Sequence, residues 1–405
     1  MGVDLWNIIC LMVRTNGNGK GPERKINKSK IAKLIVFILL IAIVIATIVI
    51  YNKNEEFRNV FDKYVFRKEV KSDNLVTIDL EANKESNVFA HNKYIVILNQ
   101  NSLEFYNRTG NKEQSLEVQI STPIFEGNNN YLYIAEKNGQ RIYCIQNKNI
   151  LWHKDIEGEI KALNVNKNGY VSIIIAGTSY KSIIETYDNT GKELFKRGLS
   201  TTSVIDTDIS DDNKYLAIAE ADFSGVLVQS KIEILSIESA SKNSDDAVVY
   251  TYQPDSDNLV INIQYQKDNL ACMYDKFVEI IKNKNTTRAF EFSNETVLFA
   301  DVNLNSKIIK VIKKSEGFLG KAFQMQIIDT NKIGNVITYE IEQNPKKVYI
   351  SDNIICINIG TEVLFVNSNG WLIKRYKSSK EVQNVIFNSN IAGVISKGKI
   401  ELISL

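Results

Sequence analysis

Val204–Leu235 reads VIDTDISDDNKYLAIAEADFSGVLVQSKIEIL. Asp206 and Asp208 alternate with Ile205 and Ile209, and a polar turn follows at Ser210-Asp211-Asp212-Asn213. An Ala-rich apolar run (YLAIA) begins at Tyr215. A long hairpin then passes through Ser224-Gly225, and a second alternating run, KIEIL, covers Lys231–Leu235. Short β-branched and apolar runs divided by Asp, Asn, Gly and Ser are the signature of antiparallel strands. This stretch therefore predicts three consecutive strands of one small sheet.

The same unit recurs outward from there. Its second strand begins near Tyr94, Tyr131, Tyr170, Tyr215, Leu270, Ile308, Ile354 and Ile391, at intervals of 37, 39, 45, 55, 38, 46 and 37 residues. Third strands follow at LEFYN (103–107), RIYCI (141–145), IIETY (183–187), KIEIL (231–235), VEII (278–281), MQIID (325–329), VLFV (363–366) and KIELI (399–403). Several units add a fourth, as in GKELFKR (191–197) and GWLIKRY (370–376). Four strands in roughly 40–50 residues is the period of a β-propeller blade, whose two faces are buried only by packing on its neighbours. The fold class predicted is all-β: a β-propeller of eight four-stranded blades, with seven as the alternative, preceded by one transmembrane helix. A pair of β-sandwiches or an open β-solenoid would be the other all-β solutions, and the unequal spacing argues against a strict solenoid. The chain ends on the third strand of the last blade. LVTIDL (75–80) can supply the missing outer strand and close the ring.

The fourth unit and the apolar N-terminal segment together resemble a membrane-anchored, propeller-like family of Gram-positive bacteria that carries a domain-of-unknown-function label. The resemblance implies an extracytoplasmic propeller and supplies no activity, cofactor or catalytic residue. The outer strands Gly191–Phe195 and Gly370–Ile373 also resemble pyrroloquinoline-quinone-type propeller repeats, but the tryptophan docking contacts of that group are mostly absent. No cofactor is carried across.

Residues 34–50, LIVFILLIAIVIATIVI, carry no charge, and Tyr51 follows. Eighteen helical residues span roughly 27 Å, enough to cross a hydrocarbon core. Leu34, Ile50 and Tyr51 mark the ends of this membrane anchor, with Tyr51 at the interface. No small-residue cleavage site follows, so the segment reads as an uncleaved anchor in contact with membrane lipid. Lys20, Arg24, Lys25, Lys28, Lys30 and Lys33 precede it, against Lys53, Arg58 and Lys63 after it. The positive-inside rule puts the N-terminus in the cytoplasm and the C-terminal domain outside the cell. The expected organisation is a basic tail (1–33), a transmembrane helix (34–51), a helical stalk (52–70) and the propeller (71–405). The stalk is drawn from Phe57, Val60, Phe61, Tyr64 and Val65 at helical spacing. The apolar run 5–13 is too short to span a bilayer.

Catalytic raw material is sparse. Only two histidines occur, His91 and His153, in no metal or protease motif. Both read as surface or turn residues. Cys10, Cys144, Cys272 and Cys356 lie far apart and read as small hydrophobes. A net charge of +2 offers no field for nucleic acid. The sharpest candidates are carboxylates of the fourth unit. Asp206, Asp208 and Asp222 could contribute to a calcium site or act on a substrate, with Asp211, Asp212 and Glu220 nearby in sequence. Yet no DxDxDG loop is present, and Asp211-Asp212-Asn213 reads equally as a turn. Trp152 and Trp371 are expected to pack between blades, and the sequon at Asn107-Arg108-Thr109 carries little weight. The function expected is a non-enzymatic binding or scaffolding module for a protein, peptide or cell-envelope ligand. The alternatives are an envelope-glycan lyase or hydrolase using channel carboxylates, and a sensor that signals through a partner.

Overall fold

The computed structural model describes residues 28–53, 61, 65, 76–81, 87–255, 257–314 and 322–405, in two compact units divided between Phe61 and Asp62. Most of the expected tail (1–27) and stalk (all but 52, 53, 61 and 65) lies outside the described residues. In the first unit one helix, α1, runs Lys28–Lys53. Its stretch Lys33–Tyr51 is long and apolar enough to cross a membrane, and its aliphatic side chains are exposed along that length.

The second unit is an eight-bladed propeller. Each blade is a four-stranded antiparallel sheet, and in the first seven the strands run in sequence order from the channel outward. The blades occupy residues 88–117, 123–155, 159–199, 203–252, 260–291, 296–341, 347–377 and 384–404. All eight second strands read from the sequence are second strands here. They are mostly apolar and are buried along nearly their whole length, as in Ile354–Asn358 and Ile391–Ser396, because a neighbouring blade covers each face. Outer strands such as Lys112–Glu117 instead alternate between exposed and half-buried positions. The described residues form eight hydrophobic clusters, one at each blade junction.

The last blade has three strands of its own, and its outer strand is Val76–Asp79, as the sequence suggested. It pairs antiparallel with Lys399–Ser404, from Val76 opposite Leu402 to Asp79 opposite Lys399. Ile78 and Leu80 fill the junction between the last and first blades beside Ile95, Ile391 and Ile400. Every blade therefore has four strands, and the two ends of the propeller chain hold each other.

Five third strands bury a glutamate in one register: Glu104, Glu185, Glu233, Glu279 and Glu401. A buried carboxylate needs a partner, and four have a cation: Lys112, Lys196, Arg197 and Arg288 respectively for the first four. Glu401 accepts from the Ser378 hydroxyl at 3.0 Å. Arg197 reaches Glu233 from the preceding blade, so this pair also ties the third blade to the fourth.

Candidate functional site

The antiparallel order sorts the loops onto two faces. Turns between first and second strands, and between third and fourth, share one face. Hairpins between second and third strands, and the crossings to the next blade, share the other.

The first face carries a belt of hydrogen bonds from the end of one innermost strand to the next. The His91 ring meets the Asn128 carbonyl at 3.0 Å. Asn128 Nδ2 donates to the Asn166 carbonyl (2.8 Å), Asn166 Nδ2 to the Ser210 carbonyl (3.1 Å) and Asn388 Nδ2 to the Asn92 carbonyl (2.8 Å). Gln266 Nε2 donates to the Lys307 carbonyl at 2.9 Å. The asparagine oxygens turn the other way and cap their own turns, as Asn128 Oδ1 does for the Asn130 and Tyr131 amides. His91 closes its innermost strand opposite Tyr94, and the expectation of a surface position is corrected: it is 3% exposed. A carbonyl can only accept, so the facing ring nitrogen, Nδ1, carries the proton. Burial lowers the His91 pKa to about 4, so the ring stays neutral over the physiological range.

Asp206 and Asp208 face the same way along the innermost strand Ser203–Ile209, as alternation requires. What they meet is the innermost strand of the fifth blade, Val260–Gln266. Asp206 Oδ2 accepts from the Ile263 amide (2.9 Å) and Asn262 Nδ2 (3.0 Å), and its Oδ1 from the Thr207 amide (2.9 Å). Asp208 Oδ2 accepts from Gln264 Nε2 at 2.8 Å and from the Tyr265 amide. Both carboxylates therefore substitute for a strand partner at the junction. Burial pushes Asp206 up to about 6 and Asp208 well above the usual range. Glu126, on the innermost strand of the second blade, was not singled out in the sequence. It is half-buried and accepts a long hydrogen bond, 3.4 Å, from the Gly127 amide. Burial, with a smaller contribution from the Asp206 charge, pushes it up to about 7.

The remaining candidates do not join this pair. Asp222 sits at the second-to-third hairpin of the fourth blade, where it accepts from the Ser224 amide at 2.8 Å and caps the turn. Asp212 caps its own turn on the opposite face through the Lys214 amide at 3.2 Å, with Asn213 left-handed at φ 61°. Glu220 is fully buried between the third and fourth blades and accepts from the Thr202 hydroxyl at 2.6 Å. Among the described residues no three Asp, Glu, His or Cys side chains converge as a metal site. His153 is exposed on an outer strand and stacks on Tyr143. Trp152 packs between the second and third blades, edge-on to Tyr133 and beside Tyr187. Cys144, Cys272 and Cys356 are buried.

The second face carries the feature that sequence reading saw only as a long hairpin. Strands Tyr215–Asp222 and Gln229–Ser236 pair to their ends, and six residues cross between them. Phe223 and Leu227 in that tip are 51% and 47% exposed, and Val226 is fully exposed. The tip's returning arm is fixed to the crossing into the fifth blade. The Asp257 amide donates to the Val228 carbonyl at 2.9 Å, and Gln229 bridges Asn258. Beyond Asn258 lies a cleft of about 460 Å³ lined by Asp255, Asp275, Phe277, Arg288 and Phe292, among others.

Residues 47–405 match the family described as Family of unknown function (DUF5711), and the chain belongs to it. No curated protein matches it in sequence. Solved structures with the same fold include the C-terminal WD40 domain of Sif2 (TM-score 0.53, 11% identity), over 82% of this chain and 98% of that one. The dihydro-heme d1 dehydrogenase NirN in complex with DHE aligns at TM-score 0.51 and 10% identity, over 81% of this chain and 75% of that one. BamB from Moraxella catarrhalis aligns at TM-score 0.49 and 11% identity, over 84% and 99%. Identities this low speak to fold alone.

Proposed function

We propose that this chain is a membrane-anchored, non-enzymatic binding module that engages a protein partner through the face carrying its second-to-third-strand hairpins. The observation that carries the reading is the hairpin tip of the fourth blade, which holds Phe223, Val226 and Leu227 in solvent. Side chains of that kind grouped on one protruding tip mark interaction sites more often than they occur by default. The rigid ring fixes the tip's base, so docking costs little ordering entropy. Helix α1 supports the anchor, and the basic residues before it support a cytoplasmic N-terminus with the propeller outside. On this reading 1–33 is the tail, 52–70 the connecting stalk and 71–405 the binding domain.

Carboxylate catalysis is the weaker reading. It needs two acids free to face a substrate, and one oxygen each of Asp206 and Asp208 is engaged by the fifth blade. Among the described residues, Glu126 combines a raised pKa with a carboxylate that accepts a single long hydrogen bond. A photo-crosslinking amino acid at position 226 of the full chain, in the membranes of its native cells, tests the binding reading. A discrete protein adduct is expected at 226 and none at 211 on the opposite face. Equal labelling at both positions, or none at either, would remove this face as the binding surface.

A further inference from the structure

We infer that the hairpin tip and the adjoining cleft of the fifth blade together accept a partner segment in which apolar side chains stand next to lysine or arginine. The inference rests on the binding reading above and names the chemistry of its partner. The tip supplies the apolar half of the site. The cleft supplies the other half, and its charge decides what can lie there. Asp255 and Asp275 are exposed in its lining, Asp257 is exposed and paired with the lining residue Lys276, and Asp222 stands at the base of the tip. Two cations lie among them, and both are committed. Lys276 pairs with Asp257 at 3.0 Å. Arg288 lies over the Phe277 ring, 3.4 Å from its centroid, and pairs with Glu279 and Glu291 at 3.0 Å each. Among the described residues Asp255 and Asp275 enter no ion pair, and Asp275 Oδ1 is turned inward to the Leu259 amide at 2.9 Å. Unmatched negative charge beside an apolar tip repels anionic lipid and nucleic acid and favours a cationic segment. Phe292, half-buried in the cleft lining, leaves an apolar surface for the stem of a lysine or arginine whose head reaches the rim.

The probe is a fluorescein-labelled peptide, Gly-Lys-Leu-Phe-Lys-Leu-Lys-Gly, titrated into the full chain in phosphatidylcholine nanodiscs. Saturable binding is expected that weakens as salt is raised. The same peptide with Glu for each Lys, and one with Ser for each Leu and Phe, should each bind at least about tenfold more weakly. Val226→Ser and the double variant Asp255→Asn/Asp275→Asn should each reduce affinity for the first peptide about tenfold, the latter with a flatter salt dependence. Asp211→Asn, on the opposite face, should leave it unchanged. Equal binding of the Lys and Glu peptides, or no effect of the double variant, overturns the inference. A blue-shifted emission from Val226→Trp in the nanodisc without peptide would give the tip to the bilayer and also overturn it. If the peptide arm fails while position 226 still crosslinks a protein in native membranes, the binding reading stands and only this account of the partner falls.

Discussion

The third and fourth blades, and the fourth and fifth, are neighbours in one ring, yet they are joined by different chemistry. At the first junction a neutral carboxamide, Asn166, donates to the Ser210 carbonyl and caps its own turn with the other atom. At the second junction the equivalent position is Ser210, whose hydroxyl is too short to cross and donates to Asp212 in its own turn at 2.8 Å. The crossing falls instead to Asp206 and Asp208, which hold two backbone amides of the fifth blade. Amide joints are modest and insensitive to pH. Carboxyl joints accept more strongly, but a charge at that depth is penalised by desolvation. The largest expected effect follows from this contrast. Asp208→Ala leaves the Tyr265 amide and Gln264 without their acceptor and should cost about 4 kcal/mol, whereas Asn166→Ala should cost about 1–2 kcal/mol. Denaturant unfolding of the full chain in detergent measures both. Equal losses would mean that the two junctions are energetically alike despite their chemistry.

How much of this was legible follows from what each signal is made of. Second strands could be found because burial on both faces removes polar residues from them, as in YIVIL and IICIN. Closure could be found because a spare strand preceded a blade that lacked one. Alternation puts Asp206 and Asp208 on one side, but does not show what they meet, since their partners include backbone amides of a strand 57 residues away. The belt was invisible for a related reason. Its donors are single Asn, Gln or His residues in a sequence rich in Asn, and their acceptors are carbonyls, which carry no residue identity. The third-strand glutamates were in plain view in LEFYN, IIETY and KIELI, and a repeated acid inside otherwise apolar runs was a signal left unread. Exposure of Val226 depends on where a hairpin stops pairing, and the long hairpin at Ser224-Gly225 with the 55-residue interval of the fourth unit is its trace in the sequence.

His91 sharpens the comparison within the belt itself, because it performs with a titratable ring what Asn performs at other junctions. Its native pKa is lowered from 6.5 to about 4. Between those values the unfolded chain binds a proton that the native ring does not, so the junction's contribution is full above pH 6.5 and falls as pH drops towards 4. The loss amounts to about 3 kcal/mol at its limit. His91→Asn keeps a side-chain donor at that position and should change stability at pH 7 by less than about 1 kcal/mol. The gap between the two proteins should then open in favour of the variant as pH is lowered through that window. A constant gap from pH 7 to 4 would show that the ring does not titrate as a buried neutral donor.

The smallest effect at neutral pH is expected from Asp206→Asn, and its pH dependence runs the other way. Burial raises Asp206 from 3.8 to about 6, so the native state holds a proton that the unfolded chain has released. Stability from this group is therefore present below pH 3.8 and is lost as pH rises through 6. Asparagine keeps one acceptor oxygen for the Ile263 amide and removes the charge. It gives up one carboxylate oxygen in return, and the two changes should cancel at pH 7 to within about 1 kcal/mol. The variant should nevertheless lose the part of the wild-type slope between pH 4 and 6. Glu126 should keep most of its own slope, because burial, more than the Asp206 charge, holds its pKa near 7. Unfolding free energies across pH 4–8 for wild type, Asp206→Asn and Glu126→Gln separate the two acids. If Asp206→Asn alone flattened the whole profile up to pH 7, repulsion between the two acids would be the dominant cause, and they would have to be treated as one coupled pair in the channel.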